Sequence, residues 1–289
     1  MATPTERRPQ NVVGDFFVDS TCIDCDTCRW MAPETFTRSG EQSSVHHQPV
    51  GGKERLRALQ ALVSCPTSSI GTEEKHAMQA VLASLPDLIE QGVYHTGYHH
   101  EASFGAASYL VVRPGGNVLV DSPRFAGPLV KRIEQLGGVD TLFLTHKDDV
   151  ADQQRFHEHF GCRRVMHADD ASGGLSELEV LIEGTEPVAL DSDLTVIPVP
   201  GHTRGSACLL FGDRFLFTGD HLAWSERLGQ LYAFRSATWY DWGVQIESMR
   251  RLAEFDFEWV LPGHGRRRHI PAGEMKGQMQ RAIDWMVGR

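Results

Sequence analysis

The chain has 289 residues, 41% of them hydrophobic, and a formal net charge of -10 from 28 Lys+Arg against 38 Asp+Glu. That length supports two packed cores, and the acidic balance argues against a protein that binds nucleic acid or an anionic membrane. No apolar run approaches the ~20 residues that span a bilayer, and the polar opening Met1 to Val13 lacks the apolar core of a signal peptide, so a cytoplasmic location is expected.

Residues 1–14 read as a flexible N-terminus. Next comes Cys22-Ile-Asp-Cys25-Asp-Thr-Cys28, and then Cys65-Pro66 after 36 intervening residues. Three thiolates two residues apart can wrap one face of a cubane cluster, and a remote cysteine followed by proline closes it. Zinc sites more often use separated Cys-x2-Cys pairs. Structural disulfides do not fit a chain with no sign of secretion. The run occurs once, so one cluster is expected. Asp19, Asp24 and Asp26 crowd the loop, and their charge is expected to disfavour the reduced cluster. From about Asp15 to Thr72, including Ala32-Pro33-Glu34-Thr35-Phe36, the segment resembles a single-cluster [4Fe-4S] ferredoxin. That resemblance implies a small α+β domain over 15–72. Cys162 and Cys208 sit beside apolar residues and are expected to be buried and inert.

Lys75 to Gln91 carries Ala77, Val81, Leu82, Leu85, Leu88 and Ile89 at helical spacing. This predicts a helical connector over 73–92, kinked or split at Pro86. From residue 93 the pattern changes. Strands are predicted at Ser108 to Arg113, Val118 to Asp121, Val139 to Thr145, Arg163 to His167, Leu194 to Val199, Ala207 to Phe211, Arg214 to Thr218 and Glu258 to Leu261. Helices are predicted at Arg124 to Leu136, Gln153 to Phe160 and Trp239 to Phe255. Strands mixed with helices in this order predict a layered α/β domain over 93–289.

Several polar residues fall just after apolar strands. Leu142-Phe-Leu-Thr145 leads into His146-Lys-Asp148-Asp149-Val-Ala-Asp152. Val196-Ile-Pro-Val-Pro-Gly201 leads into His202, Phe215-Leu-Phe-Thr-Gly219 into Asp220, and Trp259-Val-Leu-Pro-Gly263 into His264. Strand ends on one edge of a sheet are where α/β folds place ligands, and imidazoles with carboxylates there make a transition-metal site. Singly, each has a plainer reading: a His after Gly is a turn residue, and Asp148 or Asp149 could cap the helix that follows.

Together, Val120-Asp121, Thr145-His146, Pro200-Gly201-His202-Thr203, Thr218-Gly219-Asp220 and Leu261-Pro262-Gly263-His264-Gly265 resemble the metallo-β-lactamase superfamily over about Tyr98 to Gly265. The resemblance implies an αββα sandwich with its site along one edge. It implies that His146 and His202 bind a first metal, that Asp220 bridges two metals and that His264 binds the second. The family pattern Thr-His-x-His-x-Asp-His is broken here. Asp148 stands where the second His belongs, so it is expected to be a ligand of the first metal, with Asp149 as the neighbour that could serve instead. A two-residue insertion would align Asp152-Gln153 with the Asp-His pair, which makes Asp152 a further candidate ligand. The donors are then His146, Asp148, Asp152, His202, Asp220 and His264. That shell is rich in oxygen and favours iron or manganese more than a hydrolytic zinc site does. One well-occupied metal is expected beside a weakened second position.

His99 or His100 could line the pocket or lie between cluster and metal. Arg266-Arg267-Arg268 follows His264 and could bind an anionic group, although a solvated charge run reads as well. The resemblance implies hydrolysis of a small molecule by metal-bound hydroxide, with Asp148 or Asp152 orienting the water. The alternatives are an iron-dependent oxidoreductase fed electrons by the cluster, served by a redox partner protein, or a non-catalytic redox or metal sensor.

Overall fold

The computed structural model describes residues 2–289. Phe16–Val18, three buried apolar residues, pairs antiparallel with Ile70–Thr72. This closes the ends of the cysteine-bearing segment on each other. Between them lie helix α1 (Thr27–Met31), the hairpin of Phe36–Ser39 with Gln42–Val45, and helix α2 (Gly51–Ser64). Cys65 is the C-terminal cap of α2, so the helix delivers the fourth thiol. Phe16, Val18, Phe36, Val45, Leu59 and Ile70 form a core into which Cys28 and Cys65 also pack.

The connector departs from the helix its spacing predicts. Only α3 (Gln79–Ala83) is helical, and Asp87–Glu90 is a strand that pairs antiparallel with Val93–His95. Pro86 cannot continue a helix. Beyond it, the open edge of a sheet offers Asp87–Glu90 hydrogen bonds that outweigh local propensity.

That sheet has seven strands, running in space from Val180–Ile182 through Arg163–His167, Thr141–Phe143, Val118–Val120, Tyr109–Val111 and Val93–His95 to Asp87–Glu90. A six-stranded sheet faces it, built on Leu194–Pro198, Ala207–Phe211, Phe215–Gly219 and Trp259–Pro262. Side chains alternate along each strand. Tyr109, Val111, Val118, Val120, Phe143, Leu209, Phe217 and Leu261 fill the space between the sheets. Leu110, Leu119 and Leu142 point the other way, onto α4 (Gly127–Gln135) and α5 (Gln153–Phe160). On the opposite face Leu210, Leu216 and Val260 pack with α6 (Trp242–Leu252) and α7 (Ala272–Val287). Helix, sheet, sheet and helix give the αββα sandwich.

Strand direction then sets the site. Val118–Val120, Thr141–Phe143 and Arg163–His167 run parallel, as do Phe215–Gly219 and Trp259–Pro262. Residues 121, 146, 220 and 264 therefore leave their strands at carboxyl ends, where α/β sheets hold ligands. No helix among the described residues is long and apolar enough to cross a membrane.

Candidate metal centre

Each imidazole of the site is fixed by what its outward nitrogen or its neighbour touches. Asp121 sits in left-handed backbone after its strand. It accepts from the Thr145 amide at 2.8 Å and from Thr145 Oγ1 at 3.0 Å. Thr145 Oγ1 in turn lies 3.0 Å from His146 Nδ1. Burial raises the Asp121 carboxyl to about 7, against the hydrogen bonds from Thr145. His202 donates from Nδ1 to the Ala237 carbonyl at 2.6 Å. Asp170, which the motif reading does not single out, ties the two histidine loops together. Its buried carboxylate accepts from the Lys147 amide at 3.1 Å, Thr203 Oγ1 at 2.6 Å and the Gly205 amide at 2.8 Å. The only sequence signal for it is an acidic residue just after the strand Arg163–His167.

The inward atoms converge. Asp220 Oδ2 lies 3.9 Å from His146 Nε2 and 3.8 Å from His202 Nε2, and its oxygens lie 2.8 and 2.9 Å from His264 Nδ1. Asp148 Oδ2 is 3.6 Å from His202 Nε2 and 4.0 Å from His146 Nε2. Asp149 Oδ2 is 3.8 Å from His146 Nε2. Two overlapping triads result, His146–Asp148–His202 and His146–Asp149–Asp220. Gly263 permits the crowding: a Cβ there would stand 2.8 Å from Asp149 Oδ2 and 3.1 Å from Asp220 Oδ1.

Three of these atoms, His146 Nε2, His202 Nε2 and Asp149 Oδ2, are buried with no hydrogen-bond partner. Buried polar groups left unpaired cost ~1–3 kcal/mol each, and a cation among them would satisfy all three. Burial lowers His146 to about 4 despite the nearby Asp220 charge, so its lone pair is free at neutral pH. Burial also raises the Asp149 carboxyl, helped by Asp220. Asp220 is the exception. Burial opposes its charge, but His264, His146 and His202 hold it below the usual carboxylate range. Its partner His264 is pushed up to about 10, with Asp220 overcoming burial. In the protein alone, an ion pair thus stands where a metal would compete.

Of the six donors expected from sequence, His146, Asp148, His202, Asp220 and His264 come together, and Asp152 does not. Its Oδ2 accepts from the Phe125 amide at 2.7 Å and faces His100 at 3.7 Å. Asp149 takes the inward place instead, because the turn after His146 points it beneath Gly263. Asp149→Ala should therefore weaken zinc binding at least ten-fold in a calorimetric titration. Asp152→Ala should leave zinc affinity unchanged and cost only about 1 kcal/mol of stability for the lost hydrogen bond.

The cluster loop also fits its group. Cys28 feels the charge of Cys25, Cys65 and Cys22, and Cys25 that of Cys65 and Cys22, as close neighbours do. Burial pushes Cys25 up to about 11 and raises Cys28 too, so thiolates there need a cationic partner. The Ser69 amide donates to Cys65 Sγ at 3.2 Å. Among the described residues, the donor sets tight enough for one small ion lie in the second domain and do not include the thiols. Sulfurs around a single zinc stand about 3.8 Å apart, whereas a cubane needs them wider. The loop acids are less exposed as charges than their sequence suggests. Asp24 pairs with Arg29 at 2.5 Å and with Arg38 at 2.8 Å, and Asp26 pairs with Arg29. Asp19 is spent on the Thr3 and Thr21 amides.

Comparison with known proteins agrees with this geometry. Residues 103–264 match the model of the metallo-beta-lactamase superfamily, and residues 18–72 match that of the 4Fe-4S single cluster domain of ferredoxin I. The chain belongs to the metallo-β-lactamase superfamily and carries a 4Fe-4S ferredoxin-type domain ahead of that fold. It is similar to proteins named hydroxyacylglutathione hydrolase. That of Acidiphilium cryptum is 30% identical over 162 residues, 54% of this chain and 63% of its own length. That of Cereibacter sphaeroides is 34% identical over 157 residues, 52% and 58%. The chain thus spans less than two thirds of these relatives. A metallo-β-lactamase from Hirschia baltica superposes with a TM-score of 0.53 at 15% identity, covering 69% of this chain and 95% of that one. The BLEG-1 B3 metallo-β-lactamase does so with 0.53 at 16%, covering 68% and 100%. At such identities these structures speak to the fold alone.

Proposed function

We propose that this chain is a metal-dependent hydrolase of small-molecule esters or thioesters, with one or two metal ions held by His146, Asp148, Asp149, His202, Asp220 and His264. One observation carries this reading. Three buried, unpartnered ligand atoms gather around an ionised Asp220 beneath an open cavity of about 1370 Å³. A bound metal would lower the pKa of its water to about 7 and polarise a carbonyl. Asp148, half exposed beside His202, would orient that water where it is not itself a ligand. Its carboxyl lies below the ordinary range, chiefly through His202, so it is ionised and can accept a hydrogen bond from the water. Lys147, Arg227 and Arg266 line the cavity and would hold an anionic end of the substrate.

The names of the relatives favour a thioester. The test follows thiol release from a hydroxyacylglutathione and from a simple acyl thioester, with protein stripped of metal and then reloaded with zinc. Zinc-dependent thiol release is expected. A stripped and a reloaded protein with equal, background rates would overturn the reading.

A second reading has its own support. Cys25 of the cluster loop lines the same cavity as His202, Asp220 and His264. An iron at these oxygen-rich donors, exchanging electrons with the cluster, would make the chain an oxidoreductase. Iron in excess of the cluster's own would favour this reading over hydrolysis.

A further inference from the structure

The two centres meet at one dipeptide. Phe104 and Gly105 both adopt left-handed backbone, with φ of 47° and 83°. Gly105 lies directly against the cluster loop. A Cβ there would stand 2.8 Å from Cys25 Cβ, 3.0 Å from Cys25 Sγ and 3.1 Å from Pro66 Cγ. The gap has no room for a side chain, and the positive φ selects glycine independently. The Gly105 carbonyl accepts from His99 Nδ1 at 2.7 Å and from Thr27 Oγ1 at 3.3 Å, and Thr27 Oγ1 stands 3.4 Å from Cys25 Sγ. One residue earlier, the Phe104 carbonyl accepts from His264 Nε2 at 3.4 Å. Two residues later, the Ala107 amide donates to the Gly263 carbonyl at 2.7 Å, beside His264.

A metal-binding imidazole is oriented by the partner of its other ring nitrogen. For His146 that partner is Thr145 and for His202 it is the Ala237 carbonyl, both within the second domain. His264 differs. Its Nδ1 faces Asp220, and its Nε2 is held by the Phe104 carbonyl. That carbonyl belongs to the residue just before Gly105, which packs against Cys25.

We infer that Phe104 and Gly105 are positioning residues that make metal retention at Asp220 and His264 depend on the assembled cluster loop. The inference rests on the metal-binding reading of those two ligands. Binding couplings are reciprocal, so a metal at Asp220 and His264 must protect the cluster by the factor with which the cluster loop strengthens the metal.

The test uses the full chain and zinc as the probe. Gly105→Ala forces the loop off Cys25 and should weaken zinc binding about ten-fold. Because Gly105→Ala could also prevent cluster assembly, a variant with Cys22, Cys25, Cys28 and Cys65 all replaced by serine is titrated alongside. It holds neither cluster nor thiols for zinc, and should show the same ten-fold loss. Zinc affinity equal to the parent's in either Gly105→Ala or the four-serine variant overturns this inference while leaving the metal centre intact. A parent that takes up no zinc overturns the metal centre and this inference together.

Discussion

Asp220→Ala should abolish metal uptake by the second domain, with a loss of more than a hundred-fold in zinc affinity. Asp220 alone lies within 4 Å of His146, His202 and His264 together. It is also the carboxylate held ionised by those three neighbours, while burial drives the nearby Asp149 toward its neutral form. Without Asp220, His264 loses its carboxylate partner, and His146 and His202 are left sharing only the half-exposed Asp148, 4.0 and 3.6 Å away. Asp220→Asn should fail almost as badly, since the amide keeps the volume and loses the charge. Either substitution also breaks the buried pair with His264, and removing one partner of such a pair costs ~3–5 kcal/mol. Urea denaturation of the metal-free variants would show that cost, and a titration calorimeter would show the lost affinity. An Asp220→Ala variant that binds zinc like its parent would mean that the site is organised around Asp148 alone.

Cys25→Ser should bleach the brown visible absorbance of the N-terminal domain and destabilise that domain while sparing the rest. Metal and cluster binding are folding free energy for a domain this small. Its core is a short list of side chains, and two of the four thiols, Cys28 and Cys65, are members of it. The sandwich has three cores of its own that include none of the four. Limited proteolysis of the variant should cut within residues 15–72 and leave the second domain whole. Unchanged absorbance would refute the cluster assignment.

The residues legible in the sequence share a trait. Cys22, Cys25 and Cys28 are close in the chain, while His202, Asp220 and His264 each follow an apolar strand and a glycine, so strand direction alone aims them. The stretch after His146 has no such constraint. Asp148, Asp149 and Asp152 lie within five residues, and which one turns inward is decided by the turn, by the cradle at Gly263 and by the Phe125 amide that claims Asp152. Alignment with the family pattern chose Asp148 and Asp152, whereas packing chose Asp148 and Asp149. The basic run after His264 splits for a similar reason. Arg266 lines the cavity, Arg267 stacks on Trp30 at 5.4 Å and Arg268 on Trp224 at 4.5 Å. Consecutive residues cannot all face one pocket. Two histidines between the domains were legible only as a vicinity. His99 is buried at the junction on Thr27 and His95, while His100 turns to Asp152. Helix α7 shows the opposite case. Met275, Met279, Ala282, Ile283 and Met286 carry a plain helical period that the strand-centred reading passes over.

The most direct measurement is the metal content of protein purified without oxygen, read together with its thioesterase rate. The account predicts four irons per chain in the cluster, zinc in the second domain, and thiol release that disappears in Asp220→Ala while the four irons remain. Iron beyond those four with no zinc, or thiol release untouched by Asp220→Ala, would contradict it.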